Sequence, residues 1–118
     1  MGERAMEQAG ERRWSLEGAR AVLGDVRERT ERAVAQADAL VREREGAGAE
    51  ARRAIDERIQ AVVSRWAREI EALGAEVKGV WLVDFDNGSG YYCWRWPEPA
   101  LEYFHGYEEG FDGRTRIQ

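Results

Sequence analysis

One stripe of apolar and small residues constrains this chain more than any other feature. Leu16, Ala19, Leu23, Val26, Thr30, Ala33, Ala37 and Leu40 follow one another at alternating steps of three and four. That spacing puts them all on one side of an α-helix and forms a heptad seam. Val22, Val34 and Val41 widen the stripe, and most remaining positions are Arg or Glu, as on a solvated helix face. Ser15 is placed to cap the helix, with Glu17 in the first turn. A helix from Leu16 to about Arg44 would be roughly 43 Å long.

Gly46-Ala47-Gly48 interrupts the seam. A second stripe follows through Ile55, Ile59, Val62, Val63, Trp66, Ile70 and Leu73, and Gly74 supplies the stop. Two long helices across a short glycine connection form an antiparallel hairpin. Many seam residues are small, and the helices carry more apolar stripe than a small sheet can cover. The expectation is a homodimer through the helices, with a protein partner as the other occupant.

The pattern changes after residue 78. Val80 to Phe85 and Tyr91 to Trp96 have strand composition, with turn chemistry at Asp86-Asn87-Gly88-Ser89-Gly90 between them. Pro97 and Pro99 end the second strand, and a third short strand fits Leu101 to Phe104 or His105. An even-length turn puts Trp81, Val83, Phe85, Tyr92, Trp94 and Trp96 on one face and Val80, Leu82, Asp84, Tyr91, Cys93 and Arg95 on the other. The first face is aromatic and apolar, and is assigned to the core against the helices. The expected architecture is α+β: helices over 14–45 and 49–74, then a two- to three-stranded antiparallel sheet within 79–105. Residues 1–13 read as a polar tail or frayed helix and 106–118 as an irregular tail, so 14–118 is one domain.

Charge narrows the function classes. The net charge is −5, and residues 76–118 hold 8 acids against 4 bases. The aromatic end is thus the acidic end, which excludes a phosphate-backbone footprint and so a nucleic-acid partner. There is no run of apolar residues long enough for a membrane helix and no apolar leader near Met1. Cys93 is the sole cysteine, so no internal disulfide forms. A reducing cytoplasm is the expected location.

Several short motifs are similar to a known family. They are Leu82-Val83-Asp84-Phe85, Cys93-Trp94-Arg95, Glu98-Pro99, Tyr103-Phe104-His105, and Gly110-Phe111 with Gly113-Arg114. Trp14-Ser15-Leu16-Glu17 and Glu71-Ala72-Leu73-Gly74 extend the likeness over most of residues 14–116. Together they resemble the bacterial DUF2203 family, a domain of unknown function. The chain departs from the family pattern at Trp81, where the family has Gly. It also has Phe104 for Trp before the histidine and Gly106 for Glu after it. The resemblance implies a cytosolic bacterial protein and brings no established activity.

Chemistry must therefore be sought in the residues themselves. His105, the sole histidine, has Glu102, Glu108, Glu109 and Asp112 nearby in sequence. Asp84 stands inside an otherwise apolar strand, where a carboxylate must be paired or shifted in pKa; Arg95 and Arg114 are candidate partners. Histidine with carboxylates is competent for a divalent metal. No other cofactor is indicated. The leading expectation is a non-enzymatic self-associating or protein-interaction module. The alternative is a metal-binding or acid–base, hydrolase-like site: Asp84 and His105 are the catalytic candidates, and Asp84, Glu102, His105 and Asp112 the metal candidates. Cys93 reads as a packed core thiol rather than a nucleophile. Gly110 to Arg114 reads as a turn that docks Phe111 on the core and pairs Arg114 with an acid.

Overall fold

The computed structural model describes residues 12–118. The proposed tail over 1–13 therefore lies almost wholly outside the described residues. Helix α1 spans Leu16–Glu45, and the Ser15 hydroxyl caps it by accepting from the Gly18 amide at 2.9 Å. Helix α2 spans Ala49–Ala72. Gly74 follows with φ +99°, a left-handed stop that glycine takes without strain. The seam packs as its spacing requires: Ala19, Leu23, Val26, Thr30, Ala33, Ala37 and Leu40 are all buried.

The sheet is a five-stranded antiparallel meander in chain order: β1 Glu76–Gly79, β2 Leu82–Asp86, β3 Tyr91–Arg95, β4 Tyr103–His105 and β5 Thr115–Arg116. It exceeds the expected two or three strands at both edges. β1 is a four-residue strand of mixed polarity, and β5 has two exposed residues, so neither carries an alternating apolar signal. Val80 and Trp81 are not strand but the turn between β1 and β2, with Trp81 at φ +62°. The β2–β3 connection has the expected even length. Asp86 pairs Tyr91, and the Asn87 side chain accepts from the Ser89 and Gly90 amides.

That register produces the expected partition. Val83 opposite Trp94 and Phe85 opposite Tyr92 face the helices. They join Trp14, Leu23, Val26, Trp66, Ile70 and Leu101 in one core, with Trp81 and Trp96 packed at its margin. Trp14 closes it: the Trp14 amide donates to Asp86 O at 2.6 Å and the indole N–H to Gly74 O at 3.2 Å. The β3–β4 loop is tied to α1 by two guanidinium groups, Arg20 donating to Leu101 O and Arg27 to Glu98 O. Nearer the glycine turn, Ala37, Leu40 and Ile55 are buried outside the main core, where the helices pack on each other. Among the described residues, no helix is long and apolar enough to cross a membrane.

Candidate metal centre

The second face of the sheet carries the polar side chains. Glu76 and Asp84 are partners, as are Asp84 and Cys93, Tyr91 and His105, and Cys93 and Tyr103. Asp84, Cys93 and His105 therefore come from three successive strands and project to one side. Their relative exposures are 1%, 0% and 4%. One potential ligand atom from each, an Asp84 oxygen, the Cys93 sulfur and a His105 ring nitrogen, lies within 4.8 Å of the others.

The hydrogen bonds fix the histidine. His105 Nδ1 is 2.8 Å from Gly106 O, and Nε2 is 2.8 Å from Asp84 Oδ2. A carbonyl oxygen only accepts, so Nδ1 carries a proton. Nε2 and Oδ2 then share a second proton between them. With both ring nitrogens engaged, His105 is not free to act as a base for Cys93. Burial pushes the Asp84 carboxyl above its ordinary value, against the pull of Cys93 and His105. Burial likewise pushes the Cys93 thiol up to about 12; Asp84 adds to the rise, while the neighbouring Arg114 guanidinium opposes it. A neutral, enclosed thiol is a poor nucleophile. Asp84 Oδ1 is buried with no hydrogen-bond partner among the described residues.

Around this cluster stand cations and rings. Lys78 Nζ lies 4.4 Å from the Tyr91 ring centroid, and Tyr91 packs on both His105 and Tyr107. Arg114 stacks between Phe111 at 4.0 Å and Tyr103 at 4.1 Å, and grips Glu98 with two hydrogen bonds of 3.1 and 2.8 Å. Arg114 thus pairs an acid, as its motif suggested. Phe111 does not join the helix-side core, since it rests on Arg114 and Arg95 over the opposite face. Gly90 lets β4 approach: a Cβ there would sit 2.5 Å from His105 O.

Of the four residues singled out for metal, Asp84 and His105 meet. Glu102 instead faces Arg116 at 3.6 Å, and Asp112 is exposed in a 3-10 turn over Phe111–Gly113. Asp84's partner is His105 rather than Arg95 or Arg114. Cys93, set aside as packing, completes the group. Strand parity alone puts Cys93 beside Asp84. The register of β4, set by the irregular loop from Trp96 to Glu102, is what selects His105 over its acidic neighbours.

No curated protein and no solved structure matches the chain significantly. The family described as "Uncharacterized conserved protein (DUF2203)" matches residues 12–117, nearly the whole chain, and the protein belongs to that family.

Proposed function

We propose that this protein binds a divalent transition metal, zinc foremost, through Asp84, Cys93 and His105. The observation that carries the reading is Asp84 Oδ1, a buried acceptor without a hydrogen-bond partner among the described residues, set among a thiol and an imidazole from adjacent strands. A buried polar atom normally finds a partner, and a cation would supply one. The donor set suits a borderline-soft ion. A carboxylate and a thiolate bring two negative charges, which balance a divalent cation. The metal would take the place of the shared Asp84–His105 proton and of the thiol proton. Tetrahedral zinc ligands stand about 3.3–3.8 Å apart, so the three side chains need only small rotations. The Nδ1 bond to Gly106 O is the outer contact that orients metal-bound histidines. Three protein donors leave a fourth position for water or an external ligand. A cytoplasmic setting would keep Cys93 reduced.

The test is metal analysis of protein purified without a histidine tag, followed by zinc titration. One zinc per chain is expected, and cobalt should give a thiolate charge-transfer absorption. His105→Ala and Cys93→Ser should each weaken binding more than about a hundredfold. Wild-type protein that takes up no zinc at micromolar concentration sinks the reading.

A second reading, self-association through the helices, is favoured by one observation. Val41 is 44% exposed, and its chain neighbour Leu40 lines a mainly apolar groove with Ala39, Ala61 and Val62, bounded by Gln36, Glu43 and Arg58. Light scattering at micromolar concentration should give a dimer mass that Val41→Asp reduces to a monomer. A monomeric wild type removes this reading and leaves the metal site untouched.

A further inference from the structure

We propose that residues 106–114 form a strap that controls passage of the metal ion to and from Asp84, Cys93 and His105, with the Arg114–Glu98 pair as its latch. The inference rests on the metal-binding reading. All three ligand side chains are nearly or wholly shielded from solvent. No ion reaches them unless a covering segment moves. The helix-side face of the sheet is consumed by the core, so access is from the second face.

What covers that face beside Cys93 is the end of the strap. The Arg114 guanidinium stacks 4.1 Å from the ring of Tyr103, the strand partner of Cys93, and its charge bears on the thiol. It is held by its paired hydrogen bonds to Glu98 and by the rings of Phe111 and Tyr103. At the other end, Gly106 O holds His105 Nδ1 and the Gly106 amide donates to Glu109 Oε1 at 2.7 Å. Between these ends the segment bonds mainly to itself, Glu109 to Gly106 O, Gly113 to Gly110 O and Arg114 to Phe111 O. A segment with few backbone bonds to the sheet, fixed by the Arg114–Glu98 ion pair at one end and by the Tyr107 hydroxyl donating to Asp86 Oδ1 at 2.7 Å at the other, opens at lower cost than the sheet beneath it. Glu98 is a firm anchor, because its backbone carbonyl also accepts from the Trp94 indole at 2.8 Å and from Arg27. The ion pair is also shielded, with side-chain exposures of 12% for Arg114 and 22% for Glu98.

Glu98→Gln tests the latch, since it keeps an acceptor for the Arg95 amide while removing the charge and one of the two bonds to Arg114. Two rates are read: modification of Cys93 by an aromatic disulfide reagent in metal-free protein, and loss of zinc from loaded protein to a chelator. Both should rise roughly tenfold, with one zinc still bound per chain. Arg114→Lys, which keeps a charge but loses the fork and the stacking, should behave alike and serves if Glu98→Gln does not fold. Asp56→Asn removes a salt bridge to Arg44 far from the site and should leave both rates unchanged. Unchanged rates in folded latch variants, or equal acceleration by Asp56→Asn, overturn the strap. If wild-type protein takes up no zinc, the metal reading fails, and the thiol rate alone still decides whether the strap opens.

Discussion

Trp81 holds a backbone conformation that a bulky L-residue adopts at a cost. Its φ is +62°, and the turn it makes joins β1 to β2. Its ring meets Trp66 edge-on at 4.9 Å, and its carbonyl accepts from the Trp96 amide at 3.0 Å. Glycine would enter this left-handed region freely. Truncation to alanine loses the ring and keeps the strain; truncation to glycine loses the ring and relieves it. Trp81→Gly should therefore be more stable than Trp81→Ala by about 1 kcal/mol, reversing the usual order. Urea midpoints of the two variants check this. Thr30 offers a second residue-scale test. Its hydroxyl accepts from the Trp66 indole at 2.8 Å and donates to Val26 O. Thr30→Val strands the buried indole N–H and should cost about 1–3 kcal/mol. Adding Trp66→Phe removes the stranded donor, so the double variant should lose less than the two single losses combined.

Cys93 gives a pH dependence with a definite sign. Its thiol is raised from 9.0 to about 12 in the folded chain, chiefly by burial. Below pH 9 the thiol is neutral in both states and its contribution is fully present. Above that, only the unfolded thiol ionises, so stability is lost as pH rises toward the folded value. The loss is about 1.4 kcal/mol per pH unit. Cys93→Ala lacks this slope. Denaturation of both proteins at about pH 8 and about pH 10.5 should show the wild type losing roughly 2 kcal/mol more than the variant.

At the scale of elements, the helices and the central hairpin were legible in the amino-acid sequence because each repeats one instruction many times. The seam from Ala19 to Leu40 states the helical period over several turns. The pairs Val83–Trp94 and Phe85–Tyr92 state the strand period on both sides of an Asx-rich turn. Elements that say little were missed. β1 and β5 are held by their neighbours' open edges rather than by their own pattern, and Trp81 is a strand former by composition in a turn by geometry. The candidate site was half legible for the same reason. Asp84 stood out as a charge among apolar residues, whereas Cys93 looks like any small core residue until β4 slides His105 alongside. Trp94 carries the test of the hairpin's core face. It is fully buried, and its indole donates to Glu98 O, so Trp94→Ala should cost about 3–5 kcal/mol. A chemical denaturation curve close to that of the wild type would refute the assignment.

Across the whole molecule, one layer of helices takes up one face of the sheet and leaves the other to polar chemistry. A metal bound there would join three strands that are otherwise linked by hydrogen bonds and turns. Zinc in excess should then raise the melting temperature, by an amount that grows with the logarithm of zinc concentration. Asp84→Asn, which keeps size and loses charge, should lose most of that rise in a thermal scan. The same face also holds the chain's sole lysine. Lys78 is seated over Tyr91 and donates to Glu76 at 3.0 Å and to the Tyr91 hydroxyl at 3.3 Å. Desolvation pulls its ammonium down, but those two bonds outweigh it and leave the group above the ordinary lysine value. Once the more reactive α-amino group is blocked near neutral pH, an amine-directed fluorophore has a single lysine to find, next to the ring that packs on His105. It would attach more slowly than to a free lysine, and once attached it would be a site-specific reporter gained without engineering the chain.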